Sequence, residues 1–339
     1  VAASAGNHAQ GVALAARKAG IAATVVMPEW ASISKQEATR SYGGTVVLSG
    51  QSLGESLMKA EEIAREGKTF IHPFDDPDII TGQGTIGVEI LDDLSDVDAI
   101  VVPVGGGGLI AGIASMVKPV KPSVRIIGVQ AAACPSAAAS RKAGRIVEVP
   151  ARLSIADGIT VKQIGQRNFE VIQRWVDDIV LVEEEEIAAA VLMLLERKKI
   201  LAEGAGAVPL AALMNCAVNI PPGRKGVLVI SGGNVDSPLL GRIIQKGLLE
   251  NGRIMRVRIH LADIPGSLSG LLQEIARLKA NVLHIYHDRD VKDLPIHMTY
   301  VALELEVRGP GHIEEIMSAL SRSGYEIQFE CGTSPPPGN

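Results

Sequence analysis

The chain has 339 residues, 47% of them hydrophobic, and a net charge of −5. At about 150 residues per domain this leaves room for two or three domains with sizeable cores. No basic block stands out and no apolar run approaches the roughly 20 residues that span a bilayer, so nucleic acid and membrane are excluded as main partners. The cysteines, Cys134, Cys216 and Cys331, lie far apart, which suits a reducing cytoplasm and neither a disulfide framework nor a metal site.

Val1–Ser4 reads as the end of a strand entering a loop. A chain that opens there, without Met, is expected to be a truncation of a longer one. The loop Ser4-Ala5-Gly6-Asn7-His8-Ala9-Gln10-Gly11 runs into a predicted helix, His8–Ala19. Strand Thr24–Met27, helix Ser32–Tyr42, strand Thr45–Leu48 and helices Ser52–Arg65 and Ile79–Leu94 follow. Next come strand Ala99–Val104, helix Leu109–Val117, strands Val124–Gln130 and Ile179–Val182, helix Glu185–Lys199 and strand Gly226–Ser231. Several of these strands are apolar throughout, as strands buried on both faces of a parallel sheet are. The expectation is an α/β architecture.

Beyond Gly252 the pattern changes. Strand Arg256–Leu261, helix Gly266–Leu278, strands Val282–Tyr286 and Thr299–Val307, helix Ile313–Ser323 and strand Tyr325–Phe329 make a ferredoxin-like βαββαβ unit. Lys292–Pro295 is read as the turn between its middle strands. The tail 333–339, with three successive prolines, is expected to be disordered.

Two loops dominate the chemical reading, Ser4–Gly11 before its helix and the four glycines that follow. Gly105-Gly106-Gly107-Gly108 stands between an apolar strand and a helix. Backbone N–H groups without side chains, backed by a helix N-terminus, form a phosphate cradle. A merely flexible turn is the alternative, but glycine costs about 1 kcal/mol relative to alanine in ordered helix, so four of them need a role. No Gly-Lys-Ser/Thr follows, which excludes a Walker motif, and there is no convincing G-x-G-x-x-G. Ser231-Gly232-Gly233-Asn234 again follows an apolar strand; taken alone it reads as an ordinary strand-to-helix turn, though it lies at the strand end where α/β sheets bind ligands.

Ser4–Gly11, Gly105–Gly108 followed by Leu109, Ala202-Glu203-Gly204-Ala205-Gly206 and Ser231–Asn234 occur in an order and spacing that resemble the serine/threonine dehydratase family. These are fold-type-II, tryptophan-synthase-β-like enzymes that use pyridoxal 5′-phosphate. The resemblance covers residues 1–250 and implies a catalytic domain of parallel sheets and helices. By it, Gly105, Gly106, Gly107, Gly108 and Leu109 hold the cofactor phosphate, Asn7 hydrogen-bonds the ring hydroxyl, and Ser231 faces the ring nitrogen. Ser4, Ala5, Gly6, Asn7 and His8 wrap the substrate carboxylate, and Glu203 has a supporting role. The implied activity is an ammonia-lyase on threonine, with serine as a side substrate. Serine or hydroxyaspartate ammonia-lyases on the same scaffold are alternatives, as is a non-catalytic amino-acid sensor.

The family's Schiff-base lysine sits in a Ser-Phe-Lys type motif upstream of the Ser-Ala-Gly-Asn loop. It is expected to lie before Val1, leaving no catalytic residue in the chain and the fragment alone inactive. Lys18, Lys35 and Lys59 sit in charge-mixed helices and read as solvated surface lysines. Relatives that racemise serine carry a hydroxyl at the position of Ala5; a methyl cannot move a proton, so racemisation should be minor. Some relatives bind a divalent cation through carboxylates after the strand Val124–Gln130. Ala131–Ser140 holds no Asp or Glu, so no metal is expected. His260, His284, His287, His297 and His312 read as partly exposed sheet histidines, and Glu183–Glu186 as a solvated helix start.

Residues 253–330, with Asp263-Ile264-Pro265-Gly266-Ser267-Leu268 ending a strand and opening a helix, resemble the ACT domain. That implies an amino-acid effector site at Asp263, Pro265, Gly266 and Leu268, with isoleucine or valine as effector; a ligand-free oligomerisation module is the alternative. Allosteric control would suit either isoleucine biosynthesis or threonine breakdown. A homo-oligomer, a tetramer by resemblance, is expected.

Overall fold

The computed structural model describes residues 1–4, 6–289 and 294–329. The chain divides into two compact units, Val1–Leu240 and Gly241 onward.

In the first unit β1 (Ala2–Ala3), β2 (Ala23–Met27) and β3 (Gly44–Leu48) form a parallel sheet in the order β1-β2-β3. The register sets Ala2 beside Val25 and Val25 beside Val46. The crossovers are α1 (Asn7–Ala19) and α2 (Ile33–Ser41); α3 (Leu53–Ala64) follows β3. Ser52 caps α3 by accepting from the Glu55 N–H, while the Glu55 carboxylate accepts from the Gln51 N–H. Asp76 caps α4 (Pro77–Asp93), whose first residue is a proline with no N–H to lose.

A second parallel sheet, in the order β6-β5-β4-β7, comprises β4 (Ala99–Pro103), β5 (Arg125–Ala131), β6 (Asp178–Val182) and β7 (Gly226–Leu228). Every residue of β4 is buried. Around it run α5 (Gly108–Val120), α6 (Ser136–Ala143), α7 (Gln166–Trp175), α8 (Glu184–Met193) and α9 (Gly204–Met214), and α10 (Ser237–Glu250) crosses the boundary between the two units. Ile100, Val102, Ile110, Ile113, Ile126 and Ile172 form the main core of this sheet and its helices. The α/β expectation therefore holds, with helices at α6, α7 and α10 that the sequence pattern did not bring out.

Two local readings change. The glycine-rich stretch after Glu203, read as a loop, is helix α9 from Gly204 onward. Its small and aliphatic residues are buried on nearly all sides, so it has no polar face and no 3.6-residue period to reveal it. Glu183 and Glu186 do form a capping box at the start of α8. Glu184, however, is not solvated: one of its oxygens accepts from the Ile155 N–H at 2.8 Å and the other is buried.

The second unit holds β8 (Ile254–Ala262), α11 (Ser267–Arg277), β9 (Asn281–Asp288), β10 (Met298–Glu306), α12 (Pro310–Arg322) and β11 (Glu326–Phe329). The antiparallel order β11-β8-β10-β9 is the ferredoxin-like plan read from the sequence. Met255, Val257, Ile259 and Leu261 point into its core while Arg256 and Arg258 face outward. His260, His284 and His287 do lie in strands, and His297 just precedes β10. His312 lies in α12, not in a strand, and is buried: its Nε2 donates to the Leu278 carbonyl at 2.7 Å and its Nδ1 accepts from the Arg308 N–H. The turn read at Lys292–Pro295 lies partly, and the tail wholly, outside the described residues. No helix among the described residues is long and apolar enough to cross a membrane.

Candidate active site

The chain leaves β1 at Ser4, which is buried; its N–H donates to the Val26 carbonyl and its hydroxyl accepts from the Gly6 N–H at 3.1 Å. Gly6 is the N-cap of α1, with no side-chain cap and no acid in the first turn. The positive end of that helix is left for an anion. His8 Nε2 lies 3.4 Å from the Ile71 carbonyl, and burial, reinforced by His72, holds its pKa below the usual histidine value. His8 is therefore neutral near pH 7. Ala5 lies outside the described residues.

The second loop leaves the buried strand β4. All four of its glycines are crowded: a Cβ on Gly105 would lie 3.0 Å from Ile159 Cα, on Gly107 2.9 Å from Asn168 Cβ, and on Gly108 2.8 Å from the Phe74 carbonyl oxygen. On Gly106 it would fall inside the Phe74 ring. Gly107, the N-cap of α5, has φ 96°, a left-handed conformation that glycine adopts without strain. Asn168, fully buried, ties the loop down by donating through Nδ2 to the carbonyls of Phe74 and Gly106, each at 2.9 Å. Among the described residues the N–H groups of Gly105, Gly106 and Gly107 have no protein acceptor. Three free donors at an uncapped helix N-terminus have the chemistry to hold an anion. Leu109 packs its side chain into the core, so it can offer the cradle only its backbone.

The segment under this loop is itself fixed. His72 Nδ1 accepts from the N–H groups of Phe74 and Asp75, as a neutral imidazole can. Burial lowers the His72 pKa against the neighbouring carboxylates. Asp75 in turn accepts from the N–H groups of Gln166 and Arg167 at the start of α7.

The third component brings residues far apart in sequence together. Asn7 Nδ2 donates to Glu203 Oε1 at 3.0 Å. Glu203 is the N-cap of α9, and its N–H donates to the Gly232 carbonyl. A Cβ on Gly232 would collide with the Glu203 carboxylate and lie 3.0 Å from Asn7 Nδ2. Burial, with the nearby charge of Asp157, pushes the Glu203 carboxyl above the usual carboxylate range; Lys35 and the hydrogen bonds from Asn7 and the Asn234 backbone oppose this. Ser231 is exposed at the head of the same loop, and Asn234 Nδ2 is buried with no acceptor among the described residues.

Asn7, Glu203 and the Ser231–Asn234 loop thus form one cluster. The turn Asp157–Ile159 links it to the cradle, packing against Gly105 at one end and, through Gly158, near Glu203 at the other. A phosphorylated aromatic fits these groups: an anion at the cradle, and a hydroxyl or ring nitrogen toward Asn7, Ser231 or Asn234.

Sequence reasoning missed Phe74, Asn168, Asp157 and Lys35. The Asp157-Gly158 dipeptide was a turn signal; nothing in the sequence marked the other three. Lys35 also corrects a reading. Its side chain is only 12% exposed and its Nζ lies 2.7 Å from Asp157 Oδ2, so it is no solvated lysine. Lys59, 37% exposed and paired with Glu62 one turn on, is the surface lysine expected. No group of three or more His, Cys, Asp or Glu among the described residues is arranged to hold a metal ion.

Residues 1–232 match the family described as pyridoxal-phosphate dependent enzymes. An L-threonine ammonia-lyase from Geobacter sulfurreducens is 52% identical over 328 residues, covering 96% of this chain and 81% of that protein. The processed form of threonine deaminase isoform 2 from Solanum lycopersicum superposes with a TM-score of 0.67 at 38% identity, covering 72% of this chain and 72% of that one. Maize serine racemase superposes with a TM-score of 0.67 at 35% identity, over 73% and 77% of the two chains.

Proposed function

The chain belongs to the family of pyridoxal-phosphate-dependent enzymes, and on that footing we propose that the complete protein is an L-threonine ammonia-lyase, releasing 2-oxobutanoate and ammonia by loss of the β-hydroxyl. The observation that carries this is the reach of the likeness, 52% identity across 96% of the chain and so through both units.

Pyridoxal phosphate, when bound, supplies an electron sink for charge developing at the substrate α-carbon. Gly105–Gly107 present their free N–H groups to its phosphate at the positive end of α5. Asn7, steadied by Glu203, would hold the ring hydroxyl. Ser231 would offer the ring nitrogen a neutral hydroxyl, which, unlike a carboxylate, would not keep that nitrogen protonated. As that neutral partner, Ser231 would favour elimination over longer-lived carbanion chemistry. At the start of α1 the backbone N–H groups of Asn7 and His8 would receive the substrate carboxylate, since those of Ser4 and Gly6 are given to the Val26 carbonyl and the Ser4 hydroxyl, and the neutral His8 adds no charge. In the sequence, residue 5 is an alanine, whose methyl cannot move a proton, so elimination is expected to dominate over racemisation.

Threonine and serine differ by one methyl, worth about 1–3 kcal/mol of discrimination, so serine is a side substrate. The test is 2-oxo-acid release by the complete protein from L-threonine, L-serine and 3-hydroxyaspartate. The highest kcat/KM is expected for threonine; a higher value for either of the others moves the assignment to that substrate. No turnover of any of them, with effector binding intact, would favour an amino-acid sensor.

The second unit is proposed to act as an ACT regulatory domain. A cavity of about 450 Å³ is lined by Asp263, Pro265, Gly266 and Leu268, with His287 and Arg289 beside them. Gly266 is the left-handed N-cap of α11, φ 97°, without a side-chain cap, which suits the carboxylate of isoleucine or valine. Calorimetry on the complete protein should show binding of one of them, coupled to activity by about 1–3 kcal/mol. Flat heats for every branched-chain amino acid would leave only an assembly role, for which a homotetramer by light scattering is expected.

A further inference from the structure

The N-terminal turn of α2 makes polar ties to both loops of the Glu203 cluster. Lys35 Nζ pairs with Asp157 Oδ2 at 2.7 Å. Ser34 Oγ donates to Asp236 Oδ1 at 2.8 Å, with Ser32 Oγ at 3.4 Å from the same oxygen. Asp236 ends the loop that begins at Ser231. Asp157 opens the turn wedged between the glycine cradle and Glu203: a Cβ on Gly158 would lie 3.7 Å from Glu203 Oε1, and one on Gly105 3.0 Å from Ile159 Cα.

Lys35 is the cation facing Asp157 and Glu203 here, and with its side chain 12% exposed it is largely out of water. A mostly desolvated ammonium is stable only with its partner in place. Asp157 is 52% exposed, so the pair is partly exposed, with the cation as its buried member.

We propose that α2 is a strap closing the first sheet onto the site, in which Lys35 is a positioning residue that, through the Asp157 turn, sets the distance between the glycine cradle and Glu203. The reaction it serves is the elimination proposed above, and that part rests on that reading. Loss of the Lys35 charge leaves Asp157 and Glu203 facing each other unneutralised. The turn then loosens, and a bound amino acid is held less well while the reacting groups themselves are untouched.

The test uses the complete protein and the variants Lys35→Met, Asp157→Asn, the double variant and Lys35→Arg. Hydrogen exchange without substrate reads the strap itself, at the amides of Ile159, Thr160 and Val161, which bond within the turn. Lys35→Met and Asp157→Asn should each speed exchange there by about fivefold, the scale of a partly exposed ion pair. The double variant should be no faster than the faster single variant. Lys35→Arg, which keeps the charge, should restore protection. With threonine, Lys35→Met should raise KM by a similar factor with little change in kcat. Unchanged exchange in Lys35→Met, or fully additive effects in the double variant, overturns the strap. A fall in kcat with KM unchanged overturns the positioning role. If exchange responds as expected but the wild type does not turn over threonine, the strap stands and the substrate reading fails.

Discussion

Replacing Gly112 by alanine probes how α4 supports the helix that presents the cradle. Gly112 is buried in α5, where a Cβ would overlap the Ile80 carbonyl oxygen and lie 2.7 Å from the Gly84 nitrogen and 2.8 Å from Gln83 Cβ. Two of these three are backbone atoms of α4, so no rotamer change relieves the clash and the helices must separate. Helix propensity alone favours alanine by about 1 kcal/mol. Forcing a methyl into a filled contact costs about 1–3 kcal/mol, and more where backbone must move. The expected net is a loss of about 1–2 kcal/mol, with weaker binding of pyridoxal phosphate as the start of α5 shifts. Gly82 is the control: it lies on the exposed side of α4 with nothing within 4 Å of a Cβ. Gly82→Ala should gain up to about 1 kcal/mol. Urea midpoints at unchanged slope measure both. A neutral or stabilising Gly112→Ala would refute the close α4–α5 contact.

Glu203→Gln keeps the shape of a group whose carboxyl is held above the usual range by burial and Asp157. A raised folded-state pKa gives stability that is present below the ordinary carboxylate range and lost as pH rises through the raised value. The urea midpoint of the variant should therefore gain on the wild type between pH 4 and pH 8, and a difference flat with pH would contradict the assignment. Asp75→Ala removes the acceptor for the Gln166 and Arg167 N–H groups and should cost about 1 kcal/mol, as loss of a helix cap does, read in the same denaturation assay. Arg289, paired with Asp263 at 3.1 Å beside the second unit's cavity, should weaken isoleucine or valine binding about tenfold when changed to alanine, since a charged hydrogen bond is worth about 1.5–3 kcal/mol; unchanged calorimetric affinity would place the effector elsewhere.

Much of this protein is legible in the sequence because its signals are local. Apolar strands such as Ala99–Val104 and the alternation of Arg256–Leu261 declare themselves within a few residues. The four glycines after β4 mark a candidate cradle by their number and by the helix they lead into. Asn7, Glu203 and Ser231 were picked out by motif order. Only the tertiary structure decided that Asn7 bonds Glu203, 196 residues away, and that Glu203 caps a helix rather than sitting in a loop. It alone decided that the glycines are required by Phe74 and Asn168, since those contacts come from segments with no periodic relation to the loop. The same holds for Lys35. A lysine in a charge-mixed helix has the sequence of a solvated residue, and its burial depends on where Asp157, 122 residues further on, is delivered by the fold. Periodicity reports the face a residue turns toward the core; the partner waiting there is set by long-range packing.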